Sequence, residues 1–372
     1  MAITVAGIDI SLLVPALLPH STAIISLAFV PPASRTLRLV LALTTVALCL
    51  RAIFLRPRDT FTSGNLAEYL SAVALHTSCY LLILNVSPPV SAETTGAKLQ
   101  WGLNAIFSPR MGVHIDRLDP PDMTRLHFLA RRAIVAGLTW IVYSHLSSGI
   151  LLPGEIYVED WDPAHDSLIA QLRAGTLTLR ASHIRLALTI FVHFGAALVL
   201  TCAHSACALI AVGIFGSPHL AWPPLFGRPS EAYTLQRWYS RFWHKLSRKA
   251  FTLHAAVLTA WIPAPAVRRA MVALLSFAIS GMMHTVAAWK PGPCQSVAPL
   301  WTFCCFGVVV LLEQAVIVMY KRLHTGLGLR WTRQERFFWR VVGYCWMAFS
   351  WVEVGTRPTY AAARCHIEHE GG

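Results

Sequence analysis

The sequence predicts an all-α, polytopic integral membrane protein with about eight transmembrane helices. Of the 372 residues, 55% are hydrophobic and only 13% are charged, whereas soluble domains carry roughly 25% charged residues. The mean hydropathy is +0.53. The apolar residues lie in long runs separated by polar segments, and a run of about 20 residues is what a helix needs to cross a bilayer.

The predicted spans are the apolar runs 8–30, 36–55, 65–86, 128–151, 184–215, 267–289, 298–320 and 337–356. The fifth is long enough for one tilted helix or for a helix followed by a re-entrant piece, so the count is about seven to nine. A shorter apolar stretch, 250–263, predicts a half-buried helix. Because no repeat or low-complexity linker divides the chain, we expect residues 1–372 to form a single membrane domain.

The net charge of +13 is concentrated between the runs. Segments 217–249 and 321–336 are rich in Lys and Arg, which predicts that both face the cytosol. Segment 152–181 is acidic and fits the opposite side. Alternation then places 87–127 in the cytosol and both termini on the lumenal or outer face. Nucleic acid is not expected as a partner, because no polar, charge-rich domain is present.

The cysteines and the first residues exclude other classes. Nine cysteines are scattered, mostly in apolar runs, without a CxxC pair, and we interpret them as small buried apolar residues, not as a disulfide or zinc framework. The apolar stretch at the N-terminus has no basic residues before it, which favours a retained first span over a cleaved signal peptide.

One histidine lies deep in an apolar run. His284 stands in SGMMHTVAAW (280–289), without an acidic residue within ten positions. An ionisable side chain inside the membrane is costly, so it indicates a functional site by default. A neutral imidazole is the form that can take a proton from an attacking hydroxyl.

A basic, aromatic block precedes this span, YTLQRWYSRFWHKLSRKAF (233–251). On a helix one side would mix rings with cations, at Trp238, Arg241, Phe242, His244 and Lys245. One interpretation is an interfacial amphipathic helix, with Trp at the headgroups and cations towards anionic lipid. The other is a binding surface for coenzyme A, whose phosphates bind Arg and Lys and whose adenine stacks on Trp or Tyr.

The two stretches together resemble the wax synthase branch of the membrane-bound O-acyltransferases, with the signature region at 217–290. The matching residues of the block and of the SGxxH span are Trp238, Arg241, Trp243, His244, Ser280, Gly281 and His284. Segment 101–114 is similar to a stretch of fungal members. Two departures stand out: Thr285 replaces a Glu common in plant enzymes, and Tyr239 and Ser240 shift the register of the block's glycine.

The resemblance implies a catalytic cavity inside the membrane, where an acyl group passes from its CoA thioester to a hydroxyl. His284 would be the general base and His244 its partner, placed to polarise the thioester carbonyl. Acyl-CoA would be bound by Trp238, Arg241, Trp243 and Lys245, and no metal is needed. Fungal relatives of this type imply acetyl-CoA as donor, a terpenoid or polyketide-terpenoid alcohol as hydrophobic acceptor, membrane lipid as surroundings and the endoplasmic reticulum as location.

Alternatives stay open at this point. Within the class, the chain would be a long-chain wax ester synthase. From another class, it would be a transporter with an intramembrane proton or ion path through His, Glu and Gln. His114 and Asp119 form a rival acyl-transfer spacing, HIDRLD. Two roles are open for Glu313 and Gln314 in the seventh span: a hydrogen bond to a neighbouring helix, which we expect, or a place facing the substrate tunnel.

Overall fold

The computed structural model describes residues 4–5, 8–55, 60–107, 123–244, 246–289, 294, 297–327 and 332–370. Two-residue strands, β1 (Thr4–Val5) and β2 (Ile8–Asp9), pair antiparallel. The other regular elements of the described residues are helices, with short 3₁₀ turns in the loops, among them Val158–Trp161, Pro163–His165, His219–Ala221 and Pro229–Glu231.

The helices follow in chain order, and several continue into a π-helical turn. They are α1 (Ile10–Phe29), α2 (Arg35–Leu55), α3 (Thr60–Ser78, continued by the π turn Cys79–Ile83), α4 (Thr95–Phe107), α5 (Arg125–Ser147), α6 (Leu168–Ala174), α7 (Leu179–Ile190, continued by the π turn Phe191–Gly195), α8 (Ala196–Gly213), α9 (Leu235–Arg237, continued by the π turn Trp238–Phe242), α10 (Arg248–Leu258), α11 (Pro265–Trp289), α12 (Ala298–Gly326), α13 (Arg333–Ser350, continued by the π turn Trp351–Gly355) and α14 (Arg357–Glu370).

A helix lies at each of the eight predicted spans, which confirms the all-α fold. Among the described residues, five helical segments are long and apolar enough to cross a membrane: Arg35–Leu55, Leu66–Ile83, Leu179–Gly213, Pro265–Trp289 and Ala298–Gly326. Helices α5 and α13 are less apolar, because each carries several arginines near its start. The integral-membrane class is therefore established, and the number eight stays a prediction.

The long fifth run forms one continuous helix, α7 to α8. Its 35 residues extend about 52 Å at the rise of about 1.5 Å per residue, well beyond the roughly 30 Å of a hydrocarbon core. The structure therefore shows the single long helix of the two predicted alternatives. The short apolar stretch after the block is also as predicted, since α10 buries Ala250 and Ala255 and exposes its other side.

The chain packs as two compact units. The first comprises Met1–Val113 and Lys245–Val308, and the second comprises His114–His244 and Val309–Gly372. The single domain over 1–372 stays a prediction.

The first unit is built on α1, α2, α3, α4, α10 and α11. Buried Arg38 donates hydrogen bonds to the carbonyls of Val30 and Val86 and to the side chain of Asn85. These hydrogen bonds join the α1–α2 loop to the segment that follows α3. The two segments therefore lie at the same end of the unit, which agrees with the alternation of the predicted spans. Small residues, among them Ala23, Ala42 and Cys79, let the helices approach closely.

In the second unit α5 packs along α8. Arg125 donates to the carbonyls of Val212 and Gly213 and so satisfies acceptors that a helix end leaves open. The predicted acidic loop folds onto α7 and α14: Arg180 pairs with Asp160 at 2.7 Å and Arg364 pairs with Asp166 at 2.5 Å.

Threonine and serine set several helix starts. The hydroxyls of Thr124, Ser167, Thr178, Thr234 and Thr332 each accept a backbone N–H three residues on, which is the usual N-cap arrangement. Seven cysteines carry free thiols: Cys49, Cys79, Cys202, Cys207, Cys304, Cys305 and Cys345. Of these, Cys207 and Cys345 are exposed. Cys294 and Cys365 are disulfide-bonded, so the interpretation of all nine cysteines as unbonded, buried apolar residues is wrong for these four.

Candidate active site

His284 lies on α11 in the first unit, at the contact of α11 with α3 and α12. Its Nδ1 is 3.4 Å from Oε1 of Glu68 on α3, and about a third of each side chain is exposed. The other contact is the ring of Phe303, which stacks on the imidazole at 4.7 Å between centroids and 11° between planes. The imidazole is therefore held on one face and at one nitrogen.

Gly281 explains why a small residue precedes His284 by one turn. A Cβ at this position would lie 2.9 Å from both Leu300 Cα and Phe303 Cβ, closer than carbon atoms pack. Glycine therefore lets α11 approach the start of α12 and brings Phe303 against the imidazole.

Thr285, the departure from the plant pattern, has a structural role. Its hydroxyl oxygen accepts the backbone N–H of Leu300 at 3.1 Å, one of the N–H groups that the first turn of α12 leaves without a helical acceptor. In the described part of the chain no hydrogen bond joins Ser280 to His284, so the polar neighbour of the imidazole is Glu68. The sequence analysis missed Glu68, although it is the only acidic residue of the predicted span 65–86.

The basic, aromatic block lies in the second unit up to His244, and its helical part is shorter than the stretch over which the helical spacing was considered. The helix runs from Leu235 to Phe242 and ends at Trp243, whose ψ is 148°. At this end the carbonyl of Phe242 accepts the N–H of Gly227 at 2.8 Å, a tertiary contact that accompanies the turn away from the helix.

The start of this helix is held by α12. The carboxylate of buried Glu313 accepts the backbone N–H groups of Leu235 and Gln236 at 2.8 and 3.0 Å. Gln314 donates to the side chain of Gln236 at 2.7 Å. The prediction that Glu313 and Gln314 hydrogen-bond a neighbouring segment is confirmed, and the carboxylate also sits favourably at a helix N-terminus.

Trp238 is part of a buried aromatic cluster. It is 4% exposed, and its ring packs at 4.4 Å against Trp351 and at 4.4 Å against Phe242. Trp351 in turn stacks on His193 at 4.4 Å. These rings come from three different π turns, a kind of irregularity that is frequent at functional sites, and the sequence did not indicate that they meet.

The remaining residues of the block are more open. Arg241 is exposed, and Trp243 and His244 are half-buried. The imidazole of His244 lies 5.1 Å from the ring of Trp243 and 6.0 Å from Phe226. Lys245 lies outside the described residues. Up to His244, the described part of the block therefore offers one exposed cation, Arg241, beside partly open rings.

The rival acyl-transfer spacing cannot be placed beside His284. His114 and Asp119 lie outside the described residues. Among the residues that the structure describes, no group of three or more His, Cys, Asp or Glu could hold a metal ion.

The segment from the block to α12 is similar to a known family. Residues 222–305 match the model of the membrane bound O-acyl transferase family, which confirms the predicted resemblance and overlaps the predicted signature region 217–290. The matched segment contains the block, His284, Gly281 and Phe303, and Glu68 lies outside it.

Similar proteins are fungal transferases. An "Acetyltransferase atnC" of Arthrinium sp is 33% identical over 41% of this chain and 34% of its own length. An "Acetyltransferase aurG" of Calcarisporium arbuscula is 27% identical over 70% of this chain and 65% of its own length. An "O-Mevalon transferase yanI" of Aspergillus niger is 33% identical over 32% of this chain and 29% of its own length. The chain thus spans only part of the length of the relatives it matches.

Proposed function

We propose that the protein is a membrane-bound O-acyltransferase that moves an acyl group from an acyl-CoA to a hydroxyl of a hydrophobic alcohol. The observation that carries the proposal is the placement of His284. It lies on a predicted transmembrane helix within the family-matched segment, held by Phe303 and Glu68 and still about a third exposed. This is the placement that a general base in a membrane cavity needs.

The reaction follows from ordinary acyl-transfer chemistry. A neutral His284 accepts the proton of the alcohol as its oxygen attacks the thioester carbonyl. The C–S bond breaks when the tetrahedral intermediate collapses, and the proton passes from the imidazole to the departing CoA thiolate. A hydrogen-bond donor stabilises the oxyanion in between, and we propose His244 for this role because the resemblance to the acyltransferases implies it.

We assign CoA binding to the open part of the block. Arg241 is exposed, and it supplies a fork of donors for a phosphate. Lys245 adds a second cation, and the half-buried ring of Trp243 offers a face for adenine. Trp238 contributes indirectly: its ring is packed into the aromatic cluster, and it fixes the helix from which Arg241 projects.

We propose acetyl-CoA as the donor and a terpenoid or related secondary-metabolite alcohol as the acceptor, at the endoplasmic reticulum membrane. The names of the acetyltransferase relatives support the acetyl group. The O-mevalon transferase shows that similar chains carry other transferase names, so the donor must be tested. Long-chain wax ester synthesis is the other outcome for the same site.

The test is acyl transfer by membranes that contain the full chain, with radiolabelled acetyl-CoA and a panel of terpenoid alcohols. A parallel assay uses palmitoyl-CoA and hexadecanol. We expect acetyl ester formation that is lost in His284→Ala and kept in His145→Ala, a matched change at an exposed histidine of α5. Arg241→Ala should raise the KM for acetyl-CoA, whereas Arg173→Ala, at an exposed arginine of α6, should not.

Other results would overturn parts of the proposal. Activity that survives His284→Ala, at an equal protein level, would remove His284 as the base and direct the search to His114 and Asp119. Ester from palmitoyl-CoA alone would make the protein a wax ester synthase. No transfer from either donor, with no CoA binding, would favour the transporter.

A further inference from the structure

Glu68 is an acidic side chain in a candidate membrane helix, and it lies beside a histidine. It lies in the segment Leu66–Ile83, which is long and apolar enough to cross a membrane. In the described part of the chain, its ion pair is with His284. A carboxylate in a membrane helix is costly, and it persists where a partner or a function compensates.

The geometry leaves one ring nitrogen for the substrate. Oε1 of Glu68 faces Nδ1 of His284 at 3.4 Å, and Phe303 lies against the ring face. The distance is long for a hydrogen bond, but catalytic contacts often tighten only when substrate binds. With Nδ1 directed at the carboxylate, Nε2 is the nitrogen that can meet the alcohol.

We propose that Glu68 is the positioning residue of the catalytic histidine. Its carboxylate accepts the Nδ1–H, which fixes the tautomer with a free lone pair on Nε2. It also stabilises the imidazolium that forms when Nε2 takes the proton of the alcohol. The carboxylate stays ionised in this step, and the proton stays on the imidazole. The arrangement follows the logic of a base oriented by a third group.

The inference rests on the proposed function, because it assigns a role beside His284. It goes beyond the family signature, since the matched segment 222–305 does not include Glu68. The pair also joins two helices that are far apart in the chain, α3 and α11. A merely structural ion pair between these helices is the alternative that an experiment must exclude.

The experiment compares full-length wild type with Glu68→Gln, Glu68→Asp and Glu68→Ala, purified in detergent. Acetyl-CoA is the donor, and the acceptor is the panel alcohol with the highest wild-type rate. We expect Glu68→Gln to lower kcat on the order of 10²-fold, with KM for acetyl-CoA and Tm unchanged. Glu68→Asp should recover part of the loss, because it keeps the charge. Glu93→Gln, at an exposed residue of the same unit, should match wild type.

A double-mutant comparison separates positioning from structure. If Glu68 acts through His284, Glu68→Gln should cause no further loss of the residual rate in a His284→Ala background. Wild-type kcat in Glu68→Gln would overturn the inference. It would also be overturned if all three variants lost kcat to the same extent and their Tm values fell together. The proposed function would survive both results, since it is decided separately by wild-type transfer and its loss in His284→Ala.

Discussion

The contact of α11 with α12 at Gly281 makes a sharp prediction, because it links packing directly to the candidate base. In Gly281→Ala the new methyl group would lie 2.9 Å from Leu300 Cα and from Phe303 Cβ. Carbon atoms in contact prefer about 3.5–4.0 Å, so the helices must separate by at least about 0.6 Å. One of the two atoms belongs to backbone, which cannot rotate away.

The expected cost has two parts. Overpacking of this kind typically destabilises by about 1–3 kcal/mol, so we expect a lower Tm. His284 is one turn further along the same helix and stacks on Phe303, so the shift also moves the imidazole. A displacement of about 1 Å at a catalytic group costs on the order of 10²-fold in rate, and we expect a loss of kcat of about 10- to 100-fold.

Gly307→Ala is the matched control in the same pair of helices. Its methyl group would meet the side-chain tip of Leu274 at 3.2 Å and Phe277 Cβ at 3.3 Å, and flexible side chains yield more easily than backbone. Measurements of Tm in detergent and of kcat for acyl transfer should rank Gly281→Ala well below Gly307→Ala. Equal values for the two variants, or wild-type kcat in Gly281→Ala, would refute the reasoning.

Two further predictions concern carboxylates of the second unit. Glu313→Leu should lower Tm more than Glu313→Gln. Leucine leaves the N–H groups of Leu235 and Gln236 without an acceptor, which costs about 1–3 kcal/mol for a buried group, whereas glutamine keeps one acceptor oxygen. Equal Tm values for the two variants would contradict this. The hydrogen bond from Arg180 holds the pKa of the Asp160 carboxyl below its usual value, so the stability it contributes is present above about pH 4 and is lost as the pH falls through the lowered pKa. The Tm difference between wild type and Asp160→Asn should therefore shrink below about pH 4, and a difference that grows there would reverse the assigned sign.

The helices were predictable because their signal is local. A run of apolar residues and a cap such as Thr332, with its capping-box partner Glu335, can be read along the chain. The same holds for His284, whose position in an apolar run is a sequence property. The contact of His284 with Glu68 could not be predicted in this way, since no local pattern shows which face of α3 packs against α11.

The end of the block helix shows the same limit. Nothing between Trp238 and Lys245 is a glycine or a proline, so the pattern predicts a helix that continues. In the structure the helix ends at Trp243, beside the contact of Gly227 with the carbonyl of Phe242, and Trp238 packs against Trp351. Both are tertiary contacts, and the local helix preference with which such contacts compete is worth only about 0–0.7 kcal/mol per residue.

The transporter alternative depended on polar side chains within predicted spans, and the structure shows what their carboxylates do. Glu313 caps the helix of the block. Glu353, in the π turn after α13, accepts from the hydroxyl of Ser167 and the N–H of Ile169, and so caps α6. A group that relays protons or ions must exchange partners, and backbone N–H groups at a helix start hold a carboxylate in place. Glu68 differs from both, because its partner His284 is itself titratable. Of these three carboxylates, Glu68 is the one whose partner can itself take up a proton, which fits the proposed acyl transfer.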